Sequence, residues 1–418
     1  MTPKLPARRS PDELGLSTPV DQQLPSLVRR YAERFHRAVE GEHWVASPLG
    51  AWLLVALAAP AAEPGSPVAD RLTDALGVPV DDAVRLVAEL LGSPHAAVHA
   101  EAAAWADLDV TTAAIVEWAG ALPAGTTFDT RIPTQAEADE WARRATDGQV
   151  DTFPVDVEGA LLLLANALAL DVSWSTPLDV VPARLLGAGA PLADGVRRVL
   201  SAARDSERSV VRTSTAGDVA LVVHRAATDL LVATVAADPG VAPADVLAMA
   251  HELATRAASR HPVAVVDPFD LPLGDGPVIA VTEREVPLPQ DRMAQVHAYL
   301  PAWEADSTHD LVRQPGIADG AAALLALLPP GSPLEAEVKQ VATAEFSRTG
   351  FRAAAVSVLA LRASGPPPMR PGLLREVTLR FGHPHAVVAV ALDHEGGPWH
   401  GVPVFSAWVC EATEVPED

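Results

Sequence analysis

The sequence predicts an α+β fold, because helical patterns come early in the chain and strand patterns come late. Capping residues mark three helix starts: Ser47 and Ser66 each precede a proline, and Thr134 can form a capping box with Glu137. Near the end of the chain, the apolar runs 376–381, 386–392 and 402–409 are separated by turn residues and indicate antiparallel strands.

Apolar periodicity predicts the remaining elements in order. Helices are predicted from a cap at Ser26 to Gly41, and over 48–59, 67–76, 81–91, 113–121, 135–146 and 245–259, with another starting at 306–313. Strands are predicted over 98–108, 161–170, 196–200, 219–235, 278–287, 296–301 and 338–346. The run 161–170 is apolar except for Asn166, so we expect a fully buried strand in which this amide needs a hydrogen-bond partner.

Composition excludes several classes of protein. The net charge of −23 argues against nucleic acid and anionic membranes as partners, and no apolar run reaches the roughly 18 residues of a membrane span. A single cysteine excludes an intramolecular disulfide framework.

Residues 1–24 are predicted to be a flexible tail without a secretory signal, so we expect a cytoplasmic protein, with secretion left open. Arginine in place of lysine, together with abundant alanine, valine and proline, indicates an actinobacterial origin.

The segment 344–362 has a strand-like lead-in, then Gly350, a run of small residues and a proline-rich loop. Its odd-numbered positions from 351 to 361 carry no charge, whereas Arg352 and Arg362 both fall in the even row. This alternation is typical of a strand with one face ready for a core. An ordinary junction between a loop and a strand would show the same small residues.

Six separated blocks resemble the serpin family in the family's own order and cover about residues 25–412. They are Trp44 to Leu49, Trp141 with 146–150, 164–178, 300–303 with 310–319, Phe381 to His385, and Pro403 to Ser406. The resemblance implies one domain over 25–418 with three β-sheets, eight to nine helices and an exposed reactive loop at about 350–376. It also implies a shutter and breach under the main sheet, made of Ser47, Asn166, Trp174 and Gln340.

In the function that the resemblance implies first, a serine or cysteine protease cleaves the loop and the loop inserts into the main sheet. Gly350 would be the pivot and Ala353, Ala354 and Ala355 the sliding hinge. The family's usual spacing from hinge to cleavage site would place the scissile bond near Ser364-Gly365. Arg362 and Arg370 are rival sites, and an arginine would imply a trypsin-like target. No catalytic residue and no cofactor are expected.

Departures from the family pattern favour a second function. Inhibitory hinges have a glutamate, a glycine and then a threonine where this chain has Arg348, Gly350 and Phe351, and the shutter has Gly50 and Gln340 instead of a serine and a histidine. A non-inhibitory serpin fold used as a binding or scaffold subunit, or as a component of a biosynthetic enzyme, therefore stays open. A protease or a partner chain is the expected binding partner.

One further constellation is kept open. His383, His385 and His394 lie close in sequence, and His383 and His385 are predicted to share a strand face, where they could hold a metal or act as acid and base. The alternative, polar residues at strand ends, is favoured. His251 and Glu252 lack the second histidine of a zincin helix, because position 255 is threonine.

Overall fold

Six of eight helices come before residue 146 in the computed structural model, which describes residues 24–39, 41–107, 112–170, 172–329, 336–350, 370–393 and 397–416. The helices in these ranges are α1 (Leu24–Phe35), α2 (Pro48–Ala58), α3 (Pro67–Leu76), α4 (Val80–Leu91), α5 (Ala113–Ala121), α6 (Gln135–Ala145), α7 (Pro243–Ala258) and α8 (Ile317–Leu325). Ser47 and Ser66 cap α2 and α3, and the capping box of Thr134 and Glu137 opens α6, as predicted. None of these helices is long and apolar enough to cross a bilayer.

Strands dominate the second half of the chain. They are β1 (Trp44–Ala46), β2 (Val98–Ala106), β3 (Thr126–Asp129), β4 (Leu162–Leu170), β5 (Asp179–Pro182), β6 (Arg198–Ser201), β7 (Glu207–Thr213), β8 (Gly217–Arg225), β9 (Leu230–Ala236), β10 (Gly274–Asp275), β11 (Ile279–Leu288), β12 (Arg292–Leu300), β13 (Trp303–Asp310), β14 (Lys339–Phe346), β15 (Arg370–Arg380), β16 (His385–Ala391) and β17 (Pro403–Val409). The predicted α+β class is confirmed.

Two of the sheets have six strands each, in the orders β1-β17-β16-β9-β8-β7 and β10-β11-β15-β12-β6-β5. The other strands form two smaller units, β3-β2-β4 and β13-β14. Hydrogen bonds just beyond β4 and β14 join these units: the Trp174 N–H donates to the Thr349 carbonyl at 3.1 Å, and the Leu178 N–H donates to the Arg348 carbonyl at 2.9 Å. We call β3-β2-β4 and β13-β14 together the main sheet. It corresponds to the third of the three predicted sheets and is divided into two halves.

The main sheet lies between two helices. On one face α2 packs against β4 and β17, and every residue of α2 except Leu54 is buried, as expected for a helix that is apolar all round. On the other face α6 packs against β2 and β4 through a separate cluster that contains Trp105, Trp141 and Phe153. Strand β4 therefore has a helix packed against each of its faces.

Several sequence predictions need correction. The run predicted as one strand over 219–235 is two strands, β8 and β9, and the helix predicted to reach Gly41 ends at Phe35. Ser26 lies inside α1, which begins at Leu24, so it is not the predicted cap. The helix predicted at 306–313 is wrong, because residues up to Asp310 form β13, in which Trp303, Ala305 and His309 point inward at a period of two. Strand β4 is not fully buried, since several of its residues line a cleft. The loop expected to reach about residue 376 ends sooner, because β15 begins at Arg370.

Candidate functional site: a cleft that divides the main sheet

Strands β4 and β14 are separated by a cleft of about 810 Å³. Among the described residues, β4 forms a ladder only with β2, and β14 only with β13, so each strand has one edge without a ladder partner. Nine residues of β4 at about 3.3 Å each make this edge about 30 Å long. Residues of α6 and the segment after it line one side of the cleft, and residues of α2 and α8 line the other. The cleft is lined by residues 161–168 and 336–341, so it occupies the first part of a gap that is about as long as a missing strand.

The first turn of α2 connects the two walls of the cleft. Asn166 of β4 donates its side-chain amide to the Gly50 carbonyl at 2.6 Å. Gln340 of β14 donates to the Ser47 carbonyl and accepts from the Ser47 N–H, both at 2.9 Å. Ser47 is itself fixed, because its hydroxyl donates to the Val404 carbonyl at 2.7 Å and accepts from the Gly50 N–H at 3.0 Å. We call these four residues the amide bridge.

The amide bridge explains two departures from the family pattern together. A Cβ atom on Gly50 would lie 3.0 Å from Gln340 Nε2 and 3.3 Å from Asn166 Oδ1. The two amides therefore fill the space that a serine side chain would occupy at position 50. Gly50 and Gln340 fit each other, and the sequence differences at 50 and 340 form one local arrangement.

The far end of the gap between β4 and β14, which we call the mouth, lies beyond the residues that line the cleft and is closed by the residues that follow the two strands. The indole N–H of Trp174 donates to the Ser347 carbonyl at 3.0 Å, and Ser173 forms a β-bridge with Gly350. Gly350 has φ +109°, and a Cβ there would overlap the Val172 carbonyl. Only glycine fits this backbone approach, so the predicted pivot of the loop lies at the mouth.

His224 lies at the mouth and was not singled out from the sequence. Its ring centroid is 5.3 Å from that of Trp174 and 5.6 Å from that of Phe346, which in turn stacks on Trp303. Nδ1 shares a hydrogen bond with the Ser206 hydroxyl at 2.9 Å, and burial lowers the pKa of His224 to about 4. A neutral histidine therefore completes an apolar plug over the mouth. No periodic pattern in β8 distinguishes this residue from a core position.

Gln149 spans the gap between β4 and β14 near the same end, beyond the residues that line the cleft. Its side-chain amide donates to the Leu170 carbonyl of β4 at 2.8 Å, and its own carbonyl lies 3.5 Å from the Thr343 hydroxyl of β14. The sequence identified Gln149 only as part of a turn motif. Because an added strand would need the Leu170 carbonyl, Gln149 occupies a position that such a strand would take.

Most of the predicted loop residues lie outside the described part of the chain. These are Phe351, Ala353, Ala354, Ala355, Arg362, Ser364 and Gly365. Arg370 is described as the exposed first residue of β15, where it pairs with Leu288 and forms an ion pair with Asp291 at 3.3 Å. The structure thus brings Ser47, Asn166 and Gln340 to the cleft and Trp174 and Gly350 to the mouth. It places Arg370 in another sheet.

His394 of the histidine cluster lies outside the described residues. His385 starts β16 and is buried, with Nδ1 2.9 Å from the carbonyl of His383, which precedes the strand. The two histidines therefore do not share a strand face as predicted. Burial lowers the pKa of His385 to about 4. Within the described ranges, no three His, Cys, Asp or Glu side chains are placed to hold a metal ion.

No protein-family model and no curated protein matches the sequence. Solved structures match it over nearly the whole chain. A thermophilic serpin, tengpin, in its native state is 14% identical with a TM-score of 0.61, covering 93% of this chain and 94% of its own. Human kallistatin is 16% identical with a TM-score of 0.61, covering 96% and 100%. Human thyroxine-binding globulin complexed with thyroxine is 12% identical with a TM-score of 0.61, covering 93% and 98%.

At these identities the comparisons concern the fold alone. The predicted serpin-like architecture is confirmed: this chain has the serpin fold.

Proposed function

We propose that this protein is a protease inhibitor of the serpin type. A serine or cysteine protease cleaves the segment between Gly350 and Arg370, and the amino-terminal part of that segment then enters the cleft between β4 and β14. The observation that supports this most is the cleft itself, which has an unpaired strand edge on each side and the pivot Gly350 at the mouth. An entering strand would find ladder partners along both edges once Gln149 leaves the Leu170 carbonyl.

The sequence after Gly350 suits this cleft. An inserted strand has one face toward α2 and the main core and the other toward α6, and the uncharged odd row from 351 to 361 supplies a face for the core. Burying Leu359 and Leu361 would contribute about 1.5–3 kcal/mol each. Ladder hydrogen bonds to both edges would add about 0.5–1.5 kcal/mol each.

The hinge makes this insertion slow to begin. Gly350 already packs against the backbone of Val172, so the next residue to enter is Phe351. Where the family has threonine, a phenylalanine overpacks a tight site at about 1–3 kcal/mol. Arg348 in place of an acid adds a charge change at the mouth. We therefore expect hydrolysis of the acyl-enzyme to compete with trapping, so that the protein is an inefficient inhibitor.

The target follows from the cleavage site. Ser364-Gly365 and Arg362 lie in the segment between pivot and β15, whereas Arg370 would have to leave its pairing with β11 to reach a protease. Cleavage at Arg362 implies a trypsin-like protease. We favour Ser364-Gly365 and Arg362 over Arg370.

Trapping assays test the proposal. The protein is mixed with trypsin-like and chymotrypsin-like serine proteases, and covalent complex and cleaved product are separated on a denaturing gel. We expect mostly cleaved product from the wild type and a larger complex fraction from Phe351→Thr, since the smaller residue shortens the delay. Val358→Thr, which changes the even row of the same segment, serves as the control and should leave the ratio unchanged. Equal complex fractions in all three proteins would contradict the proposed role of the hinge.

A second function is favoured by the size of the cleft. A volume of about 810 Å³ falls within the roughly 300–1,000 Å³ of small-molecule pockets, and one structural neighbour is a thyroxine complex. In this alternative the chain is a non-inhibitory binding or scaffold subunit, or a component of a biosynthetic enzyme. Loop cleavage that leaves thermal stability unchanged, together with a small molecule that raises the melting temperature of the uncut protein, would favour it.

A further inference from the structure

Strand β15, which follows the loop, is an inner strand of its sheet. On one side it pairs with β11 in antiparallel register from Leu288↔Arg370 to Ile279↔Leu379. On the other side it pairs with β12 in parallel register from Arg292↔Leu373 to Tyr299↔Arg380. Because β11 and β12 are consecutive, a single hairpin encloses β15 from both sides. Pulling β15 out would therefore break two ladders.

The turn of this hairpin closes directly over the start of β15. The Leu373 N–H donates to the Asp291 carbonyl at 2.9 Å. A Cβ on Gly372 would lie 2.6 Å from the Gln290 carbonyl oxygen and 3.0 Å from that of Asp291. Glycine at 372 thus lets the turn 289–291 cross the strand at backbone contact.

Arg375 fastens β15 from its buried face. The side chain is 10% exposed, and its guanidinium forms an ion pair with Glu283 of β11 at 2.7 Å. Nη1 donates to the carbonyls of Pro268, Phe269 and Leu271 at 3.1, 2.8 and 3.0 Å. One arginine thereby ties β15 to β11 and to the segment before β10, and its removal would leave a partly buried carboxylate and three carbonyls without this partner.

Chain length decides what the uncut loop can do. Nineteen residues, 351–369, separate Gly350 from Arg370. If nine of them fill the cleft beside β4, ten remain to return about 30 Å and to cross to the other sheet. Ten residues span at most about 33–36 Å, with none left for the turn. Full insertion of an uncut loop therefore requires the first residues of β15 to leave the sheet.

We propose that the β11–β12 hairpin is a clamp on β15 that keeps the uncut protein from inserting its loop, so that insertion depends on cleavage. This inference rests on the proposed function. The clamp consists of the two ladders, the turn over Gly372 and the Arg375–Glu283 pair. Cleavage removes the constraint because the inserted segment is then no longer connected to β15.

Two sets of variants test the clamp. Gly372→Ala pushes the hairpin turn off the strand, whereas Gly274→Ala in β10 of the same sheet meets nothing within 4 Å and is the matched control. Uncut proteins are incubated below their unfolding temperature, and the fraction of intact chains with a raised melting temperature is followed. We expect Gly372→Ala to convert at least about tenfold faster than the wild type and the control.

A reversible lock provides the second measurement. Glu285 and Leu373 are exposed and directly opposite in the β11–β15 ladder, so cysteines there, in a Cys410→Ser background, are within the Cα separation of a disulfide. The oxidised protein should not convert while uncut, yet should gain the full stability of the wild type when cleaved. Uncut wild type, Gly372→Ala and oxidised lock converting at one rate would refute the clamp. Cleaved samples that gain no stability would instead refute the proposed function.

Discussion

The amide bridge gives the sharpest stability prediction, because Asn166 and Gln340 reach the same turn from opposite walls of the cleft. In Asn166→Leu, the buried Gly50 carbonyl loses a 2.6 Å hydrogen bond, which costs about 1–3 kcal/mol when nothing replaces the partner. Asn166 is half-buried, so the added apolar surface offsets about 1 kcal/mol of this. We expect a net loss of about 1–2 kcal/mol.

Gln340→Leu should cost more, since the N–H and the carbonyl of Ser47 both lose a 2.9 Å partner and Ser47 is 2% exposed. At about 1–3 kcal/mol for each group, the loss is roughly twice that of Asn166→Leu. Leu168→Met on the same face of β4 conserves volume and serves as the control, with a change below about 1.5 kcal/mol.

Urea unfolding followed by tryptophan fluorescence measures these changes. The loss of unfolding free energy in the double variant should differ from the sum of the two single losses, because both amides act on one turn of α2. An unchanged or raised urea midpoint for Asn166→Leu would contradict the predicted role of Asn166 in the shutter. Strict additivity would show that the two walls are not connected through α2.

The remaining predictions concern acid, a buried histidine and domain structure. Burial lowers the pKa of His224 to about 4 and of His251 to about 3, so the unfolded chain, with histidine pKa values of about 6.5, binds protons first. Stability should therefore be complete above about pH 6.5 and fall toward pH 4 by about 1.4 kcal/mol per pH unit for each such ring, and melting temperatures that stay constant from pH 7.5 to 5 would contradict this. His251→Phe should raise the melting temperature at pH 7 and flatten its pH dependence, because both ring nitrogens of His251 are buried without a hydrogen-bond partner in the described structure. A lower melting temperature would show that the buried ring nitrogens of His251 do not destabilise the protein. We also predict a single domain: brief trypsin digestion should cut only in the first two dozen residues and near Arg362, and stable fragments split near residue 150 or 260 would disprove it.

Local signals in the sequence predicted much of the fold. The caps at Ser47, Ser66 and Thr134 work through side chains next to the helices that they start, so three or four residues carry the information. The strand at 303–310 was missed for the opposite reason. Its charged residues alternate with inward ones, and only pairing with β14 shows that they stand on a solvent face.

The site could be predicted only where single residues departed from a pattern. Asn166 was found because an amide in an apolar run needs a partner, and the structure supplies the Gly50 carbonyl. Gln149 and His224 were missed, since a turn glutamine and a histidine in a buried strand look ordinary until β4 and β14 are placed beside them. Likewise, no sequence pattern showed that β11 and β12 enclose β15, because strand neighbours depend on contacts between distant segments.

Hydrogen exchange at the two open edges tests the central claim most directly. The protein is cleaved once between Gly350 and Arg370, and the amide exchange of β4 and β14 is compared with that of the uncut protein. Strand β8, which lies in the six-stranded sheet β1-β17-β16-β9-β8-β7, is the internal reference. A strand that enters the cleft pairs with both edges, so we expect slower exchange in 162–170 and 339–346 together and a higher melting temperature. Unchanged exchange at both edges after complete cleavage would contradict insertion and leave the cleft as a binding site.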